Sequence, residues 1–172
     1  MTPRPTYEEL EAGRRTLELQ KSYLTTLHET ALGLISHLEP GKVLQAIVQN
    51  AVELIGGTDG FIYIYDPDAD DMAIKAGTGR YAKALLGYRL KVGEGLAGRA
   101  AQSRKPVIVE DYQNWTGRSR YPVFDDLQSA LSVPIFSRDK ILGAIGMSAF
   151  GRPKRFAAEE VEILSRFADL AA

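Results

Sequence analysis

The amino-acid sequence predicts an α+β domain built around a mainly antiparallel sheet. Three observations support that expectation. Short segments rich in β-branched and aromatic residues recur between Gly60 and Phe150. Two pairs of them are joined by turn chemistry, Asp66-Pro67-Asp68-Ala69-Asp70 and Ser137-Arg138-Asp139-Lys140, which folds a chain back into antiparallel hairpins. Helical periodicity is concentrated at the two ends of the chain, so helices should pack on a sheet made by its middle.

Residues 1–5 form a Pro-containing leader, and a long helix is expected from Thr6. Thr6 and Glu9 have capping-box spacing, and Glu8, Glu9 and Glu11 fall at the positive end of the helix dipole. Leu10, Leu17, Leu24, Ala31 and Leu38 recur at heptad spacing, with Gln20, Leu27 and Leu34 at the second seam position. Gly13 also falls on that seam and weakens it. This imperfect heptad reads as a helix that pairs with another helix; the alternative is an amphipathic helix packed on its own domain. Glu39-Pro40-Gly41 ends it. The division predicted is a leader and partly coiled-coil-like helix over residues 1–38, then a domain over 39–172.

Val43, Leu44, Ile47, Val48, Ala51, Val52, Leu54 and Ile55 give a second apolar helical face, stopped by Gly56-Gly57. Gly60 to Asp66 reads as a strand, with Phe61, Tyr63 and Tyr65 on one face and Ile62 and Ile64 on the other. Met72 to Ala76 should return as the second arm of a hairpin. Gly87 to Val92 is a short strand, Leu96 to Ser103 a short helix and Pro106 to Val109 another strand. Asp111 to Gln128 has little periodicity, and irregular segments of that length inside a compact domain are usually functional or mobile. Ala130 to Phe136 and Ile141 to Phe150 form the last hairpin, where Pro134 suggests an edge or a bulge. A helix starting near Ala157 closes the chain, with Val161, Leu164, Ala168 and Ala171 on one face and Ile163, Phe167 and Leu170 widening it. It stops abruptly at Leu170-Ala171-Ala172 with no cap, as expected if the chain is a piece of a longer protein.

The bulk properties exclude several function classes. The 172 residues carry 21 basic and 22 acidic side chains, a formal net charge of -1 that gives no basic footprint for nucleic acid. Neither a secretory leader nor an apolar run of the roughly 18 to 20 residues needed to span a membrane is visible. A cytoplasmic location is the expectation. There is no cysteine, so disulfides and thiol chemistry are unavailable.

Several stretches, in this order, resemble the GAF family over roughly residues 24–172. They are Gly93-Glu94-Gly95-Leu96-Ala97-Gly98-Arg99-Ala100-Ala101, then Gln102-Ser103-Arg104-Lys105-Pro106-Val107, then Ser129-Ala130-Leu131-Ser132-Val133-Pro134-Ile135 leading into Leu142-Gly143-Ala144-Ile145-Gly146, and finally Phe156-Ala157-Ala158-Glu159-Glu160 with Leu164 and Leu170. The resemblance implies a PAS-related α+β fold, with a central antiparallel sheet of about six strands. A helical layer from the first and last helices would cover one face and often serves for dimerisation. The other face would carry a pocket under the irregular segment. Such domains bind cyclic nucleotides, bilins, haem, ions or metabolites, or only dimerise, and commonly sit upstream of histidine kinases, cyclases, phosphodiesterases or transcriptional activators. Gly93 and Gly95 permit a tight strand-to-helix turn, Gly98 a close helix approach, and the first N–H groups of the helix from Leu96 could face the pocket.

The sharper chemistries lack their residues. Bilin thioether attachment, iron–sulfur ligation and the reductase chemistry of the family's free methionine-sulfoxide reductases all need cysteine. His28 and His37 both fall on the first helix with no third ligand, so no metal site is expected and haem is not favoured. Asn114 and Phe124-Asp125 resemble parts of a cyclic-nucleotide signature whose lysine and closing glutamate are missing. Asp66, Asp68, Asp70 and Asp71 lack the glycine and the terminal glutamate of an EF-hand calcium loop and read as a solvated turn. No nucleophile is paired with a base, so no catalytic residue is assigned.

The expected ligand-contacting residues are Phe61, Tyr63, Tyr112, Trp115, Arg118, Tyr121, Phe124 and Ser129: flat aromatic faces for a planar molecule and a cation for an anion. The alternative is that the rings fill a core beneath a long loop. The expected dimer contacts are Leu17, Leu24, Leu27, Ala31 and Leu34 on the first helix and Val161, Leu164 and Ala168 on the last. Two functions follow: a non-enzymatic sensory module, in a histidine kinase on family frequency, or a ligand-free dimerisation module.

Overall fold

The computed structural model describes residues 7, 11, 13, 14, 39–57 and 59–172. The chain divides into two compact units, Met1–Glu39 and Pro40–Ala172. In the first, Tyr7, Glu11, Gly13 and Arg14 are helical, and Glu11 accepts a 3.4 Å hydrogen bond from Tyr7 and faces Arg14 at 3.7 Å. The rest of the expected long helix lies outside the described residues, with Leu17, Leu24, Leu27, Ala31, Leu34 and both histidines.

The second unit opens on helix α1 (Pro40–Ile55). Pro40 suits a first helical turn, whose amide needs no partner, and Gly56 closes the helix at φ 72°, donating to the Val52 carbonyl at 2.9 Å. Strands β1 (Asp59–Asp66) and β2 (Asp71–Gly77) form the first hairpin. Its turn is set by the Asp66 carboxylate, which accepts from the Asp68 and Ala69 amides at 3.2 and 3.4 Å. A six-residue helix α2 (Gly79–Ala84) follows, then β3 (Arg89–Leu90), α3 (Gly95–Ser103) and β4 (Val107–Val109). The predicted strand over Gly87 to Val92 is thus only two residues long, and α2 was not foreseen. The irregular segment contains one 3-10 turn, Pro122–Phe124, before the long hairpin β5 (Leu127–Ser137) and β6 (Lys140–Phe150). Helix α4 (Ala158–Ala171) ends the chain; the Glu160 carboxylate caps it by accepting from the Ala157 amide at 2.8 Å.

The six strands form one antiparallel sheet in the order β3-β2-β1-β6-β5-β4. Pro134 lies opposite Ala144 of β6, but β4 stops pairing at Ser132, so the missing amide meets no strand on that side. The expectation of an edge holds locally although β5 is an inner strand.

Each face of the sheet has its own core. On one, α1 and α4 cover Ile62, Leu131, Val133, Ile135, Ile145 and Met147. On the other, α2, α3 and the irregular segment cover Phe61, Tyr63, Met72, Ile74, Ala130 and Ala144. Period-two alternation sends Phe61 and Tyr63 one way and Ile62 and Ile64 the other. Three bulges break it, one of them at Leu142, which is extra because Ile135 pairs with Gly143 and Phe136 with Ile141. Ile62 pairs with Ala76 and Tyr63 with Ile74, so Lys75 is an extra residue and Ala76 joins the helical face. Leu127 pairs with Phe150 and Ser129 with Ala149, so Gln128 is likewise extra.

The helical layer uses side chains that had been expected at a chain–chain contact. Leu164 and Ala168 are 0% and 3% exposed and pack into the domain's own core, and Val161 is partly buried against the same cluster. Their apolar stripe is the side of α4 that holds the helix to the sheet. Leu170 turns outward instead and is exposed, as is Leu54 on α1.

Candidate ligand-binding site

The face opposite the helical layer contains a cavity of about 410 Å³. Its floor is the sheet, through Phe61 and Tyr63 of β1 and Leu127 and Ala130 of β5. Tyr81 of α2 forms one wall, and residues 93–97 at the start of α3 form another. Tyr112, Arg118, Ser119 and Phe124 roof it from the irregular segment. A well-packed core leaves few voids larger than a water molecule, so the rings surround a space rather than filling it.

The aromatic frame is continuous. Phe61 packs edge-on to Tyr63 with centroids 5.6 Å apart and lies 4.8 Å from Tyr81; Phe124 bridges Tyr81 and Tyr112 at 6.3 Å each. Tyr81 is anchored by a 2.6 Å hydrogen bond between its hydroxyl and that of Ser148. Burial pushes the phenol of Tyr81 well above its ordinary pKa. Tyr63 is raised for the same reason, with the neighbouring phenols Tyr81, Tyr88 and Tyr112 adding to it. Tyr112 is raised by burial too, against the pull of the Ser119 amide, which donates to its oxygen at 3.0 Å. These phenols are therefore neutral donors throughout the physiological range.

The start of α3 is shaped by its glycines. Gly93 and Gly95 adopt φ 93° and 56°, and the Glu94 carboxylate accepts from the Lys91 amide at 2.9 Å, closing the turn. A Cβ on Gly98 would lie 2.4 Å from the Lys91 carbonyl, so only glycine lets α3 approach that turn. No side chain caps the helix, and the amides of Gly95, Leu96 and Ala97, residues that line the cavity, have no partner among the described residues.

The roof is held by its own polar contacts. The side-chain amide of Gln113 donates to the Phe124 and Leu127 carbonyls at 3.0 and 2.7 Å. Arg118 donates to the carbonyl and side-chain oxygen of Gln113 at 2.9 and 2.6 Å. The Tyr112 amide donates to Gln128 at 2.8 Å. At the far end, Arg80 of α2 makes a paired contact with the Asp126 carboxylate, which Arg80 holds below the ordinary carboxylate range.

Of the eight expected ligand residues, Phe61, Tyr63, Tyr112, Arg118 and Phe124 line the cavity. Three do not. Trp115 packs at a tilt against Tyr112 with centroids 5.7 Å apart, has the Arg99 guanidinium over its ring at 4.8 Å, and faces an open groove beside β4. Tyr121 is half exposed and packs on Tyr88 at the surface. Ser129 points to the helical layer, because the extra residue Gln128 reverses the alternation; its hydroxyl donates to the Lys154 carbonyl at 2.7 Å and accepts from the Lys154 amide at 2.9 Å. Tyr81, Tyr88 and Arg99 also line the cavity and were missed. Tyr81 lies on a helix too short to show periodicity.

Known structures share this architecture. The GAF domain of a phosphoenolpyruvate-protein phosphotransferase from Coxiella burnetii superposes with a TM-score of 0.72 at 21% identity, covering 86% of this chain and 89% of that one. The second GAF domain of DevS from Mycobacterium smegmatis gives 0.62 at 20% identity, over 77% and 90%. A free methionine-R-sulfoxide reductase from Neisseria meningitidis, solved with its substrate, gives 0.68 at 18% identity, over 81% and 80%. At such identities the likeness is one of fold. None of the curated proteins matches the chain. The GAF domain model matches residues 37–172, most of the chain. With the six-stranded antiparallel sheet between its two layers, this places the protein in the GAF domain family.

Proposed function

We propose that this domain is a non-enzymatic sensor that binds a small molecule in the cavity beneath residues 111–128 and relays its occupancy to the helical layer. The observation that carries the reading is the cavity itself, about 410 Å³ bounded by aromatic rings and unpaired donors. Occupancy has a short route across the sheet. Ala130 lines the cavity, and the next residue, Leu131, is buried beneath the helical layer. A ligand that favours one position of β5 would bias the packing of α1 and α4, and through them a neighbouring output domain. A histidine kinase in the cytoplasm is the output we favour, by family analogy.

Native mass spectrometry of the purified chain and calorimetry against a metabolite panel test this reading. One saturable ligand is expected, lost on filling the cavity with Ala97→Phe. A folded protein that binds nothing in either assay overturns it. A second reading, a dimerisation module, is favoured by the exposed Leu54 and Leu170 on the two helices and by the heptad spacing of the N-terminal segment.

A further inference from the structure

The same cavity carries information about the chemical class of its occupant, an inference that rests on the sensor reading above. Its polar lining is dominated by donors. The amides of Gly95, Leu96 and Ala97 begin a nine-residue helix, with no side chain capping them. Such an end concentrates partial positive charge and free N–H groups.

A second, separate feature faces the same space. Tyr63 is 3% exposed, lies on the cavity floor and makes no hydrogen bond to any described residue. No sealed-in polar atom among the described residues lacks a partner, so this hydroxyl opens onto the cavity, where its proton can be given to a ligand acceptor. Tyr112 adds a further donor: its oxygen accepts from the Ser119 amide, leaving its own proton to donate elsewhere.

The charge count limits the ligand's charge. Arg99 and Arg118 line the cavity and, since Arg99 lies over the neutral Trp115 ring and Arg118 is bound to the neutral Gln113, they supply two positive charges. The Glu94 carboxylate lines it too and would oppose a second negative charge. The remaining walls, Phe61, Leu96, Phe124 and Leu127, are apolar, and the two phenylalanines present flat ring faces.

We propose that the cavity binds a planar aromatic monocarboxylate, its carboxylate at the amides of Gly95–Ala97 and the Tyr63 hydroxyl and its ring between Phe61 and Phe124. The burial that raises the Tyr63 phenol keeps it a donor, so the pairing would persist well above neutral pH.

The test is calorimetry of the full chain with naphthalene-2-carboxylate, the neutral naphthalene-2-carboxamide and 2-naphthyl phosphate. The carboxylate is expected to bind at least about tenfold tighter than either comparison probe. Tyr63→Phe should weaken the carboxylate about tenfold and leave the carboxamide unchanged, with its thermal midpoint reporting that the variant is folded. Equal or tighter binding of the carboxamide overturns the monoanion and leaves the pocket standing. Tightest binding of the phosphate overturns the carboxylate in favour of a phosphomonoester. If none of the three binds while the metabolite panel yields a hit, the ligand class falls alone; if neither gives binding, the sensor reading falls with it.

Discussion

Tyr63 and Ser129 lie on strands separated only by β6, yet they face opposite layers of the domain. Alternation along Gly60 to Asp66 was legible because that strand is regular on its own side: the aromatic positions were read as one face, and two of them became the cavity floor. Ser129 was misread because the register shifts at Gln128, and a one-residue insertion is not visible in a composition-based strand. Its real work is to hold Lys154 of the chain leading into α4 through two hydrogen bonds. Ser129→Ala should therefore destabilise the domain by about 1–3 kcal/mol, since it removes both bonds and leaves the Lys154 groups unpaired. The same variant should bind any cavity ligand as the unmodified protein does. Urea denaturation and calorimetry separate the two effects; lost binding at unchanged stability would return Ser129 to the site.

The hairpins and the helices α1, α3 and α4 were readable because each carries a period or a punctuating turn. Helix α2 was not, since six residues make barely more than one turn and the Thr78 hydroxyl before it accepts from the Gly60 amide at 2.8 Å instead of capping the helix. That omission hid Tyr81, and it hid Arg80, the residue that ties α2 to the irregular segment. The Arg80–Asp126 pair is partly exposed on both sides, 41% and 48%, so it should contribute only about 0–1 kcal/mol to global stability. Its local effect should be larger, because it closes the end of the roof. Asp126→Asn is expected to speed hydrogen exchange over residues 111–128 while leaving the unfolding midpoint nearly unchanged. The pH dependence follows from the lowered carboxyl: its folded pKa lies below the unfolded value, so the contribution is present above the ordinary carboxylate range and fades as pH falls through the folded value. The unmodified protein should approach the variant's exchange rates in that acidic window. Equal rates at neutral pH would remove the pair from any role in holding the roof.

At the scale of the whole molecule, the two ends of the chain set the remaining question. The face of α4 expected to meet a second chain is used internally, through Leu164 and Ala168. Sequence periodicity finds an apolar stripe but cannot say which surface it buries, the chain's own sheet or a partner. A dimer, if the chain forms one, would then rest on the heptad positions Leu17, Leu24, Leu27, Ala31 and Leu34, or on the exposed Leu54 and Leu170. These make different forecasts. If the heptad pairs two chains, Leu24→Asp with Leu27→Asp removes two seam leucines from each chain. A dimer loses four leucines in all and burying one is worth about 1.5–3 kcal/mol, so the loss is about 6–12 kcal/mol, or roughly four to nine decades in Kd. Leu54→Asp with Leu170→Asp would leave that dimer intact. If the helical layer pairs the chains, the second double variant dissociates and the first does not. Sedimentation equilibrium across micromolar concentrations reads both, and the heptad forecast is the one we expect to hold. A monomer in the unmodified protein at the highest concentration would overturn both forms of the dimer, leaving the cavity as the basis for any signal the domain transmits.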